Sequence, residues 1–159
     1  MTRIEDMSET QRQSWITLLA DGAVFIWLWQ KMTIGLSPQV VHSGMGEFGA
    51  LIIRAIIITV ILHAVIASIF ELRKRKEAYE KDERDIQIEH KGAHAGYGIL
   101  QFGVGGIMYM MFMHNWLEAD YTPTFSMQTP VEIIFALLVV SYVASLVKYG
   151  VMVLAYRGE

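Results

Sequence analysis

The stretch RKRKEAYEKDERDIQIEHKGAHAG, from Arg73 to Gly96, interrupts an apolar sequence with a dense run of charges. Its first nineteen residues contain seven basic and six acidic side chains. Because Lys and Arg in short loops stay on the cytoplasmic side of a membrane, this segment is expected to be cytoplasmic. The connection HNWLEADYTPTFSMQTP, residues 114–130, has no Lys or Arg, which indicates the opposite side. With two membrane segments on each side of the charged stretch, both chain termini are also predicted to be cytoplasmic.

The residues on either side of this stretch form long apolar segments. The chain has 159 residues, of which 53% are hydrophobic and only 18% charged, too apolar for an ordinary soluble domain of this size. Four segments can each cross about 30 Å of hydrocarbon, at about residues 14–34, 45–72, 95–117 and 130–156. We predict an all-α, multi-pass protein of the cell inner membrane, with four transmembrane helices bundled in a single domain over residues 1–159.

The charged segment, residues 73–94, contains more than a membrane anchor requires. Opposite charges recur four residues apart, as in Lys76 with Glu80, and such pairs each stabilise a helix by a few tenths of a kcal/mol. The flanking helices are therefore expected to extend past the membrane surface. A dense, mixed-sign projection of this kind is a candidate partner-binding surface, and its residues would be Asp82, Glu83, Arg84 and Asp85.

Composition also excludes several kinds of function. The net charge of −3 and the lack of a basic face give no reason to expect a nucleic-acid partner. The chain has no cysteine, which excludes disulfides and thiolate chemistry. A G-x-G-x-x-G match at Gly44, Gly46 and Gly49 is followed by a membrane-length helix rather than a βαβ unit, so we expect no nucleotide there. No cofactor is predicted.

Polar side chains within the apolar segments are the main candidates for function. Glu132 belongs to T-P-V-E, residues 129–132, which predicts a helix-capping box rather than a membrane-buried acid. The remaining intramembrane polar residues are Asp21, Arg54, His63 and Gln101. Counting along the helices puts all of these except Arg54 at one level, together with Ser145. This layer is either hydrogen-bonded packing or a proton or substrate site, because aspartate beside histidine can exchange protons near neutral pH.

His90 and His94 are four residues apart at the start of the third apolar helix. This spacing lets two imidazoles reach one metal ion, but two histidines alone do not make a site. They are weak metal candidates, and no metal is predicted.

The run KDERDIQIEHKGA, residues 81–93, resembles a D-E-R-containing loop of small uncharacterised predicted membrane proteins of prokaryotes. The matching residues are Asp82, Glu83, Arg84, Ile88 and Lys91, and Gly92 interrupts the pattern before Ala93. The resemblance implies a loop between membrane segments and no particular activity.

Four helices with an acidic residue in the first also resemble the small multidrug resistance transporters, whose first-helix carboxylate exchanges protons for cationic drugs. The resemblance implies that role for Asp21 alone. The sequence departs from the family because it has aspartate where the family has glutamate, a longer chain and a more charged middle loop.

Two hypotheses follow for the function. The first is a non-enzymatic membrane protein, an accessory or oligomeric subunit in the bilayer that docks other membrane proteins through its charged loop. The second is a small proton-coupled transporter that uses Asp21 and His63. An enzyme is not predicted, because no nucleophile, base and orienting group occur together.

Overall fold

The structure is a computed structural model that describes residues 7–33, 45–77, 82–116 and 129–157. Four long helices make up nearly all of these ranges, and the predicted all-α fold is confirmed. In chain order they are α1 (Glu9–Met32), α2 (Met45–Glu77), α3 (Glu83–Trp116) and α4 (Pro130–Arg157). Parts of the predicted segments, at residues 34, 78–81 and 117, lie outside the described residues, as does Gly44 of the glycine motif.

Capping side chains explain where α1 and α4 begin. The hydroxyl of Ser8 accepts a hydrogen bond from the Gln11 backbone N–H at 3.2 Å, so α1 starts before the apolar run that begins near residue 14. At the start of α4, the Thr129 N–H donates to the Glu132 carboxylate at 2.9 Å. The Glu132 N–H donates in turn to the Thr129 hydroxyl at 3.3 Å. The predicted capping box is confirmed, and Glu132 has a structural role.

The two helices that flank the charged segment are longer than a bilayer requires. α2 has 33 residues and α3 has 34, which at about 1.5 Å per residue is about 50 Å each. The hydrocarbon core is only about 30 Å thick, so helix ends project beyond it. The charged residues fall at these ends, since α2 continues to Glu77 and α3 begins at Glu83.

The helices pack in a chain of neighbours in which α4 is central. α4 packs most extensively against α3, then against α1, and α1 packs against α2. Contacts run antiparallel: residues progressively later in α3 meet residues progressively earlier in α4. An apolar core joins α1, α2 and α4 in the half of the structure that contains Leu28, Phe48 and Phe135.

Glycines allow α3 to approach α4 closely. A Cβ atom added at Gly96 would lie 2.9 Å from both the Ala144 carbonyl oxygen and the Lys148 Cβ, and one added at Gly103 would collide with Val140. Gly92 fits against α4 in the same way. Small residues let membrane helices pack by van der Waals contact where no hydrophobic force drives association. Gly106, by contrast, has nothing within 4 Å of an added Cβ.

The surface of the fold is apolar, and part of its interior is polar. Large side chains such as Val60, Phe102 and Leu154 are exposed, whereas Ser14 and Asp21 are buried. This arrangement is the reverse of a water-soluble protein, where a large exposed apolar surface would promote association. It is the arrangement expected when hydrocarbon surrounds the helices.

Three of the four helices are long and apolar enough to cross a membrane. The qualifying spans are Gly46–Leu72 in α2, Glu83–Met113 in α3 and Pro130–Arg157 in α4. Four spans were expected, and α1 does not qualify by composition because its length of 24 residues includes several polar side chains.

Gly96→Ala tests the close α3–α4 contact, and Gly98→Ala is its matched control. Alanine favours a helix by roughly 1 kcal/mol over glycine, so Gly98→Ala, which meets nothing within 4 Å, is expected to be neutral or stabilising. Gly96→Ala is expected to lower the free energy of unfolding by about 1–3 kcal/mol, because its methyl group overlaps α4. Thermal unfolding of both variants in one detergent measures the difference. Equal stability of the two variants would contradict the packing.

Candidate functional site

The buried face of α1 changes character along its length. Its buried residues recur every three or four positions, which is the spacing of a single helix stripe. The stripe is polar in its first half and apolar in its second, in the order Glu9, Thr10, Ser14, Thr17, Asp21, Val24, Leu28 and Met32. Asp21 is the last polar residue, and it faces both α2 and α4.

The carboxylate of Asp21 is held from two helices. Its side chain is only 2% exposed. The hydroxyl of Ser145 on α4 donates a hydrogen bond to Oδ2. The other oxygen, Oδ1, lies 3.4 Å from Nε2 of His63 on α2, within ion-pair distance, but it has no hydrogen-bond partner among the described residues. A buried carboxylate is costly unless it is paired, so the pairing of this oxygen depends on His63.

The ring of His63 is oriented by its own helix. Nδ1 lies 2.9 Å from the backbone carbonyl oxygen of Thr59, one turn earlier. A carbonyl oxygen can only accept, so Nδ1 must carry a proton and Nε2 is directed towards Asp21. A hydrogen bond to one ring nitrogen fixes the role of the other in this way.

A second hydroxyl pair ties the same turn of α2 to α4. The Thr59 hydroxyl donates to the Ala55 carbonyl oxygen at 2.8 Å. It therefore accepts from the Tyr142 hydroxyl, which lies 2.7 Å away. Tyr142 is buried and also contacts the ring of Phe25 on α1, with ring centroids 6.0 Å apart. The site thus joins α1, α2 and α4.

A cavity of about 240 Å³ lies beside these groups. Its volume far exceeds the roughly 10–15 Å³ that one water molecule needs. The surface of the cavity is mainly apolar, although hydroxyl side chains, one carboxylate and one imidazole also reach it. The full set of lining residues is Asp21, Ile56, Thr59, Val60, His63, Leu138, Ser141, Tyr142 and Ser145. The His63 side chain is 39% exposed while that of Asp21 is 2% exposed, so the imidazole is the more accessible of the two groups.

The structure brings some of the predicted polar residues together and separates others. Asp21, His63 and Ser145 meet. Gln101 lies on the exposed surface of α3, where its side-chain amide donates to the Tyr97 hydroxyl, and does not join them. Arg54 is exposed on α2, nine residues before His63. Sequence reasoning missed Thr59, although its position four residues before His63 places it one turn away on the same face.

The metal candidates lie on the surface of α3. His90 and His94 are both exposed and line a shallow depression with Lys91 and Tyr97. Among the residues that the structure describes, no three His, Cys, Asp or Glu side chains group in a way that could hold a metal ion.

The predicted partner-binding residues divide into two environments. Asp82, Glu83 and Arg84 are exposed at the start of α3, whereas Asp85 is 4% exposed. The Asp85 carboxylate accepts hydrogen bonds from the Tyr156 hydroxyl at the end of α4 and from the Ser8 hydroxyl before α1. Asp85 therefore joins three helix ends and is not available on the surface.

Comparison with known protein families, curated proteins and solved structures finds no match to this chain. The fold and the site therefore define its class: an all-helical protein with three helices able to cross a membrane and a buried Asp21–His63 pair beside a cavity.

Ser145→Ala tests the hydrogen bond to Asp21, with Ser141→Ala as the control in the same cavity. Hydrogen bonds to charged groups contribute about 1.5–3 kcal/mol, so Ser145→Ala is expected to lower the free energy of unfolding by that amount. The Ser141 hydroxyl donates to the Leu137 carbonyl of its own helix, and its removal is expected to cost below about 0.5 kcal/mol. Chemical unfolding in mixed micelles measures both, and a smaller effect at Ser145 than at Ser141 would contradict the assignment.

Proposed function

We propose that this protein is a small, non-enzymatic transporter of the cell inner membrane that couples proton binding at Asp21 and His63 to movement of a small molecule. The observation that carries the proposal is the buried carboxylate, 3.4 Å from an imidazole that is itself exposed to a cavity. Ionisable groups inside membrane segments are costly, and they commonly mark proton or substrate pathways. The cavity supplies the space that a transported solute needs.

The proposal includes four spans, with α1 as the fourth. The 24 residues of α1 reach about 36 Å, enough to cross the hydrocarbon. Its apolar side chains Ile16, Leu19 and Ile26 are exposed, whereas its polar stripe is buried against α2 and α4. Composition alone therefore understates how apolar its outer face is. The charged ends of α2 and α3, together with both termini, are proposed to be cytoplasmic, because Lys and Arg concentrate there.

Asp21→Asn tests the transport proposal, and Asp82→Asn is its control. In everted membrane vesicles with an imposed proton gradient, panels of cationic, neutral and anionic compounds are added while an acridine dye reports the gradient. The wild type is expected to dissipate the gradient with at least one class of compound. Asp21→Asn is expected to abolish this response because an amide cannot release a proton, whereas Asp82→Asn, at an exposed site, retains it. A fully active Asp21→Asn protein would reject the proposal.

A second function, docking of other membrane proteins as an accessory or oligomeric subunit, is supported by the start of α3. Asp85 fixes this helix end to Ser8 and Tyr156, so Asp82, Glu83 and Arg84 project from an anchored position. An anchored charged surface loses little conformational entropy when a partner binds.

The double variant Asp82→Arg and Arg84→Glu tests docking. It keeps the net charge but exchanges the two signs, so electrostatic complementarity with a partner is lost. Native complexes purified from membranes are expected to lose co-purifying proteins in this variant. The control is the double variant Lys31→Glu and Glu47→Lys, whose positions lie away from this surface. Unchanged co-purification in the Asp82→Arg and Arg84→Glu variant would reject docking through Asp82 and Arg84.

A further inference from the structure

We propose that Asp21 and His63 form a binding site for a single proton, shared between Oδ1 of Asp21 and Nε2 of His63, with His63 as the group through which the proton enters and leaves. The inference rests on the proposed function in its choice of site and specifies how that site holds its proton.

The first step is the position of the imidazole proton. Nδ1 donates to the Thr59 carbonyl oxygen at 2.9 Å, so in a neutral His63 ring the other nitrogen has no hydrogen. Its lone pair is then on an atom 3.4 Å from Oδ1 of Asp21, which has no hydrogen-bond partner among the described residues. Two electron-rich atoms this close beside a buried side chain repel, and a proton between them removes the repulsion.

The second step is the charge of the pair. With one shared proton, the site is either a neutral carboxylic acid beside a neutral imidazole or a carboxylate beside an imidazolium, and both forms have zero net charge. Without that proton the site carries a full negative charge on a side chain that is 2% exposed. Burial disfavours a net charge, so the protonated pair is the stable form.

The surrounding groups offer no competing cation at the cavity. Of the described residues that line it, Asp21, His63 and Tyr142 are titratable, and Tyr142 donates to Thr59. Tyr149 lies within electrostatic range of Asp21, and the ammonium of Lys148 lies 5.1 Å from the centre of its ring. Ser145 satisfies Oδ2, so Oδ1 is left for His63.

The third step is the route of exchange. Both groups line the cavity, but only 2% of the Asp21 side chain is exposed, whereas 39% of the His63 side chain is exposed. When the proton moves to His63, the O–H bond at Oδ1 breaks as the N–H bond at Nε2 forms, and no other group changes. Release then requires that Nε2 turn from Asp21 towards the cavity, which loosens the Nδ1 hydrogen bond to Thr59, and that a water molecule in the cavity accept the proton.

The experiment is nitrogen NMR of the ¹⁵N-histidine-labelled full chain in lipid nanodiscs at neutral pH. His63→Gln identifies the His63 signals among the five histidines, and His94→Gln, at an exposed position, is the control that must leave them unchanged. The wild-type ring is expected to show protons bonded to or shared by both nitrogens. Asp21→Asn is expected to lose the Nε2 proton signal and keep that of Nδ1.

A wild-type Nε2 that neither carries a proton nor accepts one in a hydrogen bond, or an Nε2 proton that persists in Asp21→Asn, would overturn the inference. Should Asp21→Asn not fold, the wild-type ring alone decides whether a proton is bonded to or shared by Nε2. The readout does not depend on transport. A shared proton in a protein that never dissipates a gradient would reject the transport proposal and leave the proton site standing.

Discussion

A carboxylate removed from water is the constraint on which this structure depends. Asp21 is nearly inaccessible, and a buried charge persists only when hydrogen bonds and a compensating charge or proton replace its hydration. Ser145 on α4 donates a hydrogen bond to this carboxylate and the imidazole of His63 on α2 lies 3.4 Å from it, so one side chain on α1 contacts both neighbouring helices. On α2, the Thr59 carbonyl oxygen orients the His63 ring, and the hydrogen bond between the Thr59 and Tyr142 hydroxyls ties that turn of α2 to α4.

The remaining architecture positions this site. Glycines bring α3 against α4 at a distance that any larger residue would prevent, and α4 in turn presents Ser145 and Tyr142 to α1. The apolar core of α1, α2 and α4 fills one half of the structure and the polar stripe lies in the other, while the cavity adjoins the core at Tyr142. A polar site in a membrane protein is tolerable only where its groups face protein or a cavity, which is the case here.

The sequence predicted the helices better than it predicted which side of each helix packs against its neighbours. Helix lengths and the common level of Asp21, His63 and Ser145 follow from counting residues along apolar runs, and the α4 capping box follows from its T-P-V-E motif. Depth along a helix does not specify the side on which a residue lies, and Gln101 is the example. It is five residues after Gly96, about 140° around the helix from the surface that contacts α4. Asp85 was grouped with its charged neighbours because a run of charges gives no sign that Tyr156, 71 residues later, would cover one of them.

The helices differ in how firmly they are held. α3 packs closely against α4 at Gly92, Gly96 and Gly103. α4 also packs against α1, whereas α2 packs chiefly against α1. α2 is therefore the helix that packing against its neighbours holds least firmly. Because it carries His63 and one wall of the cavity, a tilt of α2 would change both the cavity volume and the distance between His63 and Asp21.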